Sequence, residues 1–141
     1  MAKTTTELLN ELKGENCSLP KYINKNNELF IRKDLKEFWE EQIGKCEYSK
    51  SNIINKSDFS YCYFYDVING RKLPTRDKIV KLALVMHMNL DKCQEALKMS
   101  GRSALYPKYK RDSIIIYAIE NGFTIARCNE QLLKYGEGEL K

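Results

Sequence analysis

The chain is expected to fold as an all-α protein of eight or nine helices. Three features carry that expectation. Apolar residues recur at helical rather than alternating spacing along most of the 141 residues. Polar caps and glycine stops bracket each apolar group. A helix-turn-helix-length segment also occurs twice in tandem.

The first helix is read in "TTTELLNELKG", with a Thr cap, Leu8, Leu9 and Leu12 on one side, and Gly14 beyond the end. "SLPKYINKN" reads as a short second helix with Ser18 as cap and Pro20 in its first turn. In "RKDLKEFWEEQIGK", Leu35, Phe38, Trp39, Gln42 and Ile43 share one face, Trp39 is a core anchor, and Gly44 is the expected stop. "SKSNIINKS" is short and polar apart from Ile53 and Ile54.

"SYCYFYDVINGRK" places Phe64, Val67 and Ile68 at i, i+3 and i+4, with Ser60 as cap and Gly70 as stop. Tyr61 and Tyr65 then point outward on one side, and Cys62, Asp66 and Asn69 on the next. As a strand, the stretch would need a pairing partner that the chain does not offer. Phe38, Trp39, Ile53, Phe64, Val67, Ile79 and Leu82 are expected to share one core.

Residues 76–101 align without gaps on 111–136, with eight identities in twenty-six pairs, among them Arg76/Arg111, Asp77/Asp112, Cys93/Cys128 and Gly101/Gly136. Each copy reads as helix, turn, helix, with Asn89 or Thr124 as the second cap, and Pro107 breaks the link between them. Two copies are too few for a solenoid. The second pair is therefore expected to extend one core, packing Ile114, Ile115, Tyr117, Ala118 and Ile119, or to form a dimer surface. The organisation read is a helical extension at 1–33, a domain at 34–101 and an added helix pair at 102–141.

Charge is concentrated in the middle. Residues 45–111 carry 14 Lys and Arg against 6 Asp and Glu, whereas the two flanks are slightly acidic. A basic central block points to a polyanion partner. The five cysteines are scattered, with no Cys-x-x-Cys pair, and read as reduced and mostly buried thiols. His87 lies among apolar residues in "LVMHMN" and is expected at a core or interface. Paired catalytic Cys and His, a glycine-rich phosphate loop and metal-ligand spacing are all missing, so neither an enzyme nor a cofactor or metal is expected. "GEGE" near the end reads as a solvated acidic tail. No apolar run reaches membrane-spanning length and the start is amphipathic, which makes the expected location cytoplasmic.

Taken in order, "DLKEFWEEQIGK", "SKSNIINKS", "SYCYFYDVINGRK", "LPT", "RDKIVKLALVMHM" and "NLDKCQEAL" resemble the lambda-repressor-like (Cro/repressor, XRE) helix-turn-helix family over residues 34–100. "NGRKLPTRDKIVKLAL" is the most specific part. The resemblance implies a bacterial-type DNA-binding regulator of transcription, whose second helix of the motif enters the major groove. Carried over by position, Ser60, Tyr61, Cys62 and Asp66 would face base edges. Lys50, Ser51, Lys56, Asn69, Arg71, Lys72 and Arg76 would approach phosphates. The implied partner is double-stranded DNA, bound by a homodimer on two half-sites. The alternative is a protein-interaction module on the same scaffold (an adaptor, antitoxin or inhibitor) using exposed tyrosines as contact anchors.

Overall fold

The computed structural model describes residues 4–14, 18–26 and 34–141, and among these the regular elements are all helices. The chain divides into two compact units, residues 1–33 and 34–141. In the first, α1 (Thr5–Lys13) packs with α2 (Leu19–Lys25). Thr4 caps α1 by accepting from the Glu7 amide, and Glu11 holds the end of α2 through Lys25 at 2.9 Å and Asn26 at 3.2 Å. Ser18 stands at the cap position of α2 but makes no side-chain cap bond.

The second unit contains α3 (Leu35–Lys45), α4 (Lys50–Ser57), α5 (Tyr61–Ile68), α6 (Arg76–Val85), α7 (Leu90–Met99), α8 (Lys110–Glu120) and α9 (Ile125–Lys134). The helix read at 102–141 as an added pair and the domain read at 34–101 thus belong to one unit with one core. α6 is its centre. Six of its ten residues are buried, because it touches α4 and α7 on the one hand and α8 and α9 on the other. A helix enclosed on several sides is apolar on several faces, and "IVKLALV" is that pattern. Phe38, Trp39, Ile53, Phe64, Val67, Ile79 and Leu82 are all fully buried in that core, as expected. The Phe38 and Trp39 rings meet edge to face at 5.1 Å. α3 runs one residue past Gly44 to Lys45: Gly44 is not in a left-handed conformation, and the chain leaves the helix at Cys46, which is extended.

One turn is used three times. α4, α6 and α8 each end on a residue of positive φ: Asp58 at 60°, His87 at 52° and Gly122 at 65°. The next residue is buried and apolar (Phe59, Met88, Phe123), and its amide reaches back to the carbonyl five residues earlier, at 3.3, 2.9 and 3.0 Å. The one after that caps the following helix: Ser60, Asn89 and Thr124 accept from the amides of Tyr63, Lys92 and Arg127. The left-handed residue frees the helix-end carbonyls for these bonds, and the buried one plugs the angle between the helices. His87 is therefore exposed and not in the core, one of the two places its apolar neighbours suggested: the turn throws it outward and Met88 inward.

The duplication is longer than the sequence showed and has two-fold character. Arg76 makes a two-pronged ion pair with Asp112 at 2.7 and 2.8 Å, and Arg111 makes the equivalent pair with Asp77 at 3.0 and 3.0 Å. Such reciprocity is the mark of a two-fold contact. Two more guanidinium protons bond the carbonyls of Ser103 and Ala104 in one copy, and of Gly138 and Glu139 in the other. The aspartates in turn accept from the amides of Tyr106 and Lys141. Leu105 and Leu140 are both buried, and their amides donate to Gln94 and Asn129. Each copy is thus helix, helix and strap, residues 76–106 and 111–141. "GEGE" is part of a strap, not a free tail.

Burial by itself would raise the Asp77 and Asp112 carboxyls, but the bonds from Arg111 and Lys141, and from Arg76 and Tyr106, outweigh it and hold both below the usual carboxylate range. A carboxylate with a lowered folded pKa contributes stability that is complete above the unfolded value and fades as pH falls through the folded one. Asp112→Asn leaves the Arg76 guanidinium without its counter-charge and should cost about 3 kcal/mol near neutral pH, the low end for breaking a buried pair because Arg76 keeps some solvent. The difference from wild type should shrink below about pH 4 in urea unfolding curves, since wild type then loses the same interaction. His87→Gly, placing in the first copy the residue that the second already has, should raise stability by about 1 kcal/mol in the same assay by relieving a left-handed side chain.

Candidate nucleic-acid interface

α4 and α5 are joined by Asp58, Phe59 and Ser60. Phe64, Val67 and Ile68 of α5 go inward, as their spacing predicts, and this fixes what α5 shows to solvent. Tyr61 and Cys62 are exposed at its first turn, and Tyr63, Tyr65, Asp66 and Asn69 are half-buried further along. Ser60 is exposed, but its hydroxyl oxygen already accepts the Tyr63 amide, so it caps the helix and has its own proton and one lone pair left to offer.

The tyrosines of α5 are sorted to two flanks. On one, the Tyr61 and Tyr65 rings lie 4.8 Å apart with their hydroxyls at 3.4 Å, and the Lys50 ammonium sits 5.7 Å from the Tyr65 ring. The hydroxyl contact with Tyr65 is the main reason the Tyr61 phenol is pushed above its ordinary value. On the other, Tyr63 packs edge to face on Phe59 at 5.3 Å and lies under Lys78 at 4.7 Å, with Lys72 at 5.9 Å. Burial raises the Tyr63 phenol as well. Aromatic faces attract these ammonium groups by the ring quadrupole and so place them beside α5.

Between the flanks stands Asp66. Its carboxylate has Arg71 at 3.8 Å and Lys72 at 3.7 Å, and its backbone carbonyl accepts the amides of both residues. The loop after α5 folds back onto the last turn of the helix because Gly70, at φ 74°, permits it. Pro74 is buried behind that loop, and Arg102 fastens it by donating to the Pro74 carbonyl at 3.0 Å. The exposed surface of α5 therefore carries one negative charge, answered locally by two positive ones.

Among the residues expected at phosphates, Lys50, Ser51, Lys56, Arg71 and Lys72 are exposed and Asn69 is half-buried at the end of α5. Lys56 lies 4.7 Å over the Tyr48 ring. Arg76 is placed differently. Its guanidinium is committed through four of its five protons to Asp112 and to two backbone carbonyls, so it is a structural arginine. The sequence could not show this, because Asp112 is 36 residues away. Lys78 and Arg102 were missed: Lys78 looks like an ordinary surface lysine of an amphipathic helix, and only the fold brings it over Tyr63.

Of the thiols, Cys93 and Cys128 are buried, and burial pushes them up to about 12 and about 11, so they stay protonated and unreactive. Cys46 is half-buried, Cys62 is exposed, against the expectation of mostly buried cysteines, and Cys17 lies outside the described residues. No group of three His, Cys, Asp or Glu among the described residues is arranged to hold a metal ion. No described helix is long and apolar enough to cross a membrane. Family models, curated proteins and solved structures give no match to this chain.

Proposed function

We propose that residues 34–100 form a lambda-repressor-like helix-turn-helix domain and that the protein is a sequence-specific DNA-binding regulator of transcription. α4 and α5 are the motif, and α5 is the helix that enters the major groove. The observation that carries this reading is the arrangement around α5: an exposed first turn at Tyr61 and Cys62, with Lys50 on one flank and Lys72 and Lys78 on the other. Cations on both sides of a protruding helix match the phosphate rows on both sides of a groove.

In this arrangement Tyr61 and Cys62 meet base edges, the Tyr61 ring against a thymine methyl and its hydroxyl against an acceptor. Ser60 stays a cap, with its hydroxyl proton and one lone pair to spare. Asp66 is held by Arg71 and Lys72, which lowers the repulsion a free carboxylate would meet near phosphate. Arg71, Lys72, Lys50, Lys56, Lys78, Ser51 and Asn69 are the phosphate side. Arg76 is left out. One such helix reads only a few base pairs, so the protein acts as a homodimer on half-sites about 34 Å apart or a multiple of that.

A second reading is favoured by the exposed Tyr61 stacked on the half-buried Tyr65, a pair that also suits a protein-interaction module such as an adaptor, antitoxin or inhibitor. Salt separates the two. Binding to duplex DNA through several Lys and Arg contacts weakens steeply as salt rises, whereas a tyrosine-centred protein contact does not.

Fluorescence anisotropy on labelled duplexes, including DNA upstream of the protein's own gene and a scrambled control, supplies the measurement. Arg71→Ala and Lys72→Ala should each weaken binding to all duplexes alike and shrink the salt slope by about one unit. Asp66→Asn should tighten binding to all of them by releasing both cations. Tyr61→Ala should instead change which sequence is preferred, by about 1–3 kcal/mol at one base pair. Absence of salt-sensitive binding to any duplex would reject the DNA reading.

A further inference from the structure

The internal two-fold sets a pair of faces side by side for comparison. In the first copy, Ile79, Leu82, Ala96 and Ser100 are buried almost completely, because α4 lies against α6 and α3 against α7. The residues 35 positions on are Ile114, Tyr117, Gln131 and Tyr135. They line an open cleft of about 390 Å³ on α8 and α9, with Tyr117 61% and Tyr135 48% exposed. The sequence pattern had placed Tyr117 in the packed interior. It is left outside, because within residues 34–141 the second copy has no counterpart of the α3 and α4 cover. Two large aromatic residues stand where the covered copy has Leu82 and Ser100, and a monomer gains nothing from presenting them to water.

The stripe along α8 is also self-complementary in charge. Lys110 and Glu120 lie on the same side of α8 as Ser113, Ile114 and Tyr117, at its two ends, five residues either way from Ile115. Both are exposed, and neither takes part in an ion pair among the described residues. Antiparallel packing of α8 on a second α8 about its midpoint sets each Lys110 opposite Glu120 of the other copy. The same pairing sets the small Ser113 opposite the large Tyr117. A two-fold contact must satisfy this condition, with residue i meeting j while j meets i.

We propose that the cleft on α8 and α9 is the dimer interface, and that its occupant is the same face of a second copy of this chain. The surface is separate from α5, so both motif helices stay free in the dimer. The inference does not rest on DNA binding, and its test contains no DNA.

Sedimentation equilibrium of the full chain should give a mass near twice 16.5 kDa at tens of micromolar. Tyr117→Ala should shift the protein toward monomer. Lys110→Glu alone, or Glu120→Lys alone, places like charges opposite each other and should weaken association by at least about tenfold. The double variant Lys110→Glu/Glu120→Lys restores opposite charges and should recover it. An equimolar mixture of the two single variants should recover it as well, since each then faces its complement. All three positions are exposed, and unchanged far-UV circular dichroism would show that folding is not what altered the mass. A chain that stays monomeric throughout, or a dimer indifferent to Tyr117 and to both charges, would overturn the proposal. So would a monomer whose Tyr117 becomes protected only when a different protein is added, which would assign the cleft to that protein.

Discussion

The two Arg–Asp pairs at the seam between the copies hold together more of this molecule than any other polar contact. Each guanidinium spends its donors on one carboxylate and on two carbonyls of the strap that follows its own helix pair. Each carboxylate then accepts an amide from the strap that follows the opposite pair. Helices, straps and seam are thus fixed by one set of bonds, made twice. A half-buried ion pair is stabilising only if its remaining hydrogen-bonding capacity is used, and here the straps supply what the partner carboxylate does not. The geometry also fixes register: sliding one copy along the other would break both pairs together.

From that seam the packing proceeds outward through α6. Because α8 and α9 take one side of it, α4 and α7 must take the other, and α3 and α5 then close over the aromatic cluster of Phe38, Trp39 and Phe64. The buried Trp39 indole nitrogen and Gln42 amide nitrogen have no hydrogen-bond partner there, a cost the aromatic packing must exceed. α5 is held by its apolar side alone. Its other side is consequently free to carry tyrosines and a carboxylate that no core would tolerate. The proposed interface with nucleic acid and the proposed interface with a second copy lie on different helices, α5 against α8 and α9. Their chemistry differs in the same sense: cations set over tyrosine faces around α5, and aromatic residues bracketed by one charge of each sign on α8.

How far the sequence could be read follows from the range of the forces involved. Helix identity is local. Periodicity, Ser, Thr and Asn caps, and glycines at left-handed stops named the helices and the inward residues of α5, since each signal sits within a few residues of its effect. The turn that recurs at Asp58, His87 and Gly122 misled only at His87, where apolar neighbours masked a position defined by backbone angle. Gly122 adopts such an angle without cost and Asp58 follows a polar helix end, whereas His87 stands in an apolar run that reads as continued helix.

By itself the sequence determined the all-α class, the seven residues that share the core, and the duplication of 76–101 in 111–136. All of these depend on patterns written along one stretch of chain. Tertiary structure alone decided that Arg76 faces Asp112 rather than solvent, that "GEGE" is a strap, that Lys78 sits over Tyr63 and that Tyr117 is left uncovered. Each of those depends on residues about fifteen to forty positions apart being brought together. The identity of Arg76/Arg111 and Asp77/Asp112 was visible in the alignment of the copies, but nothing in the alignment says which residues those four side chains meet. Only the two-fold packing of α6 against α8 crosses them, because an arginine and an aspartate adjacent on one helix point to different sides and cannot meet.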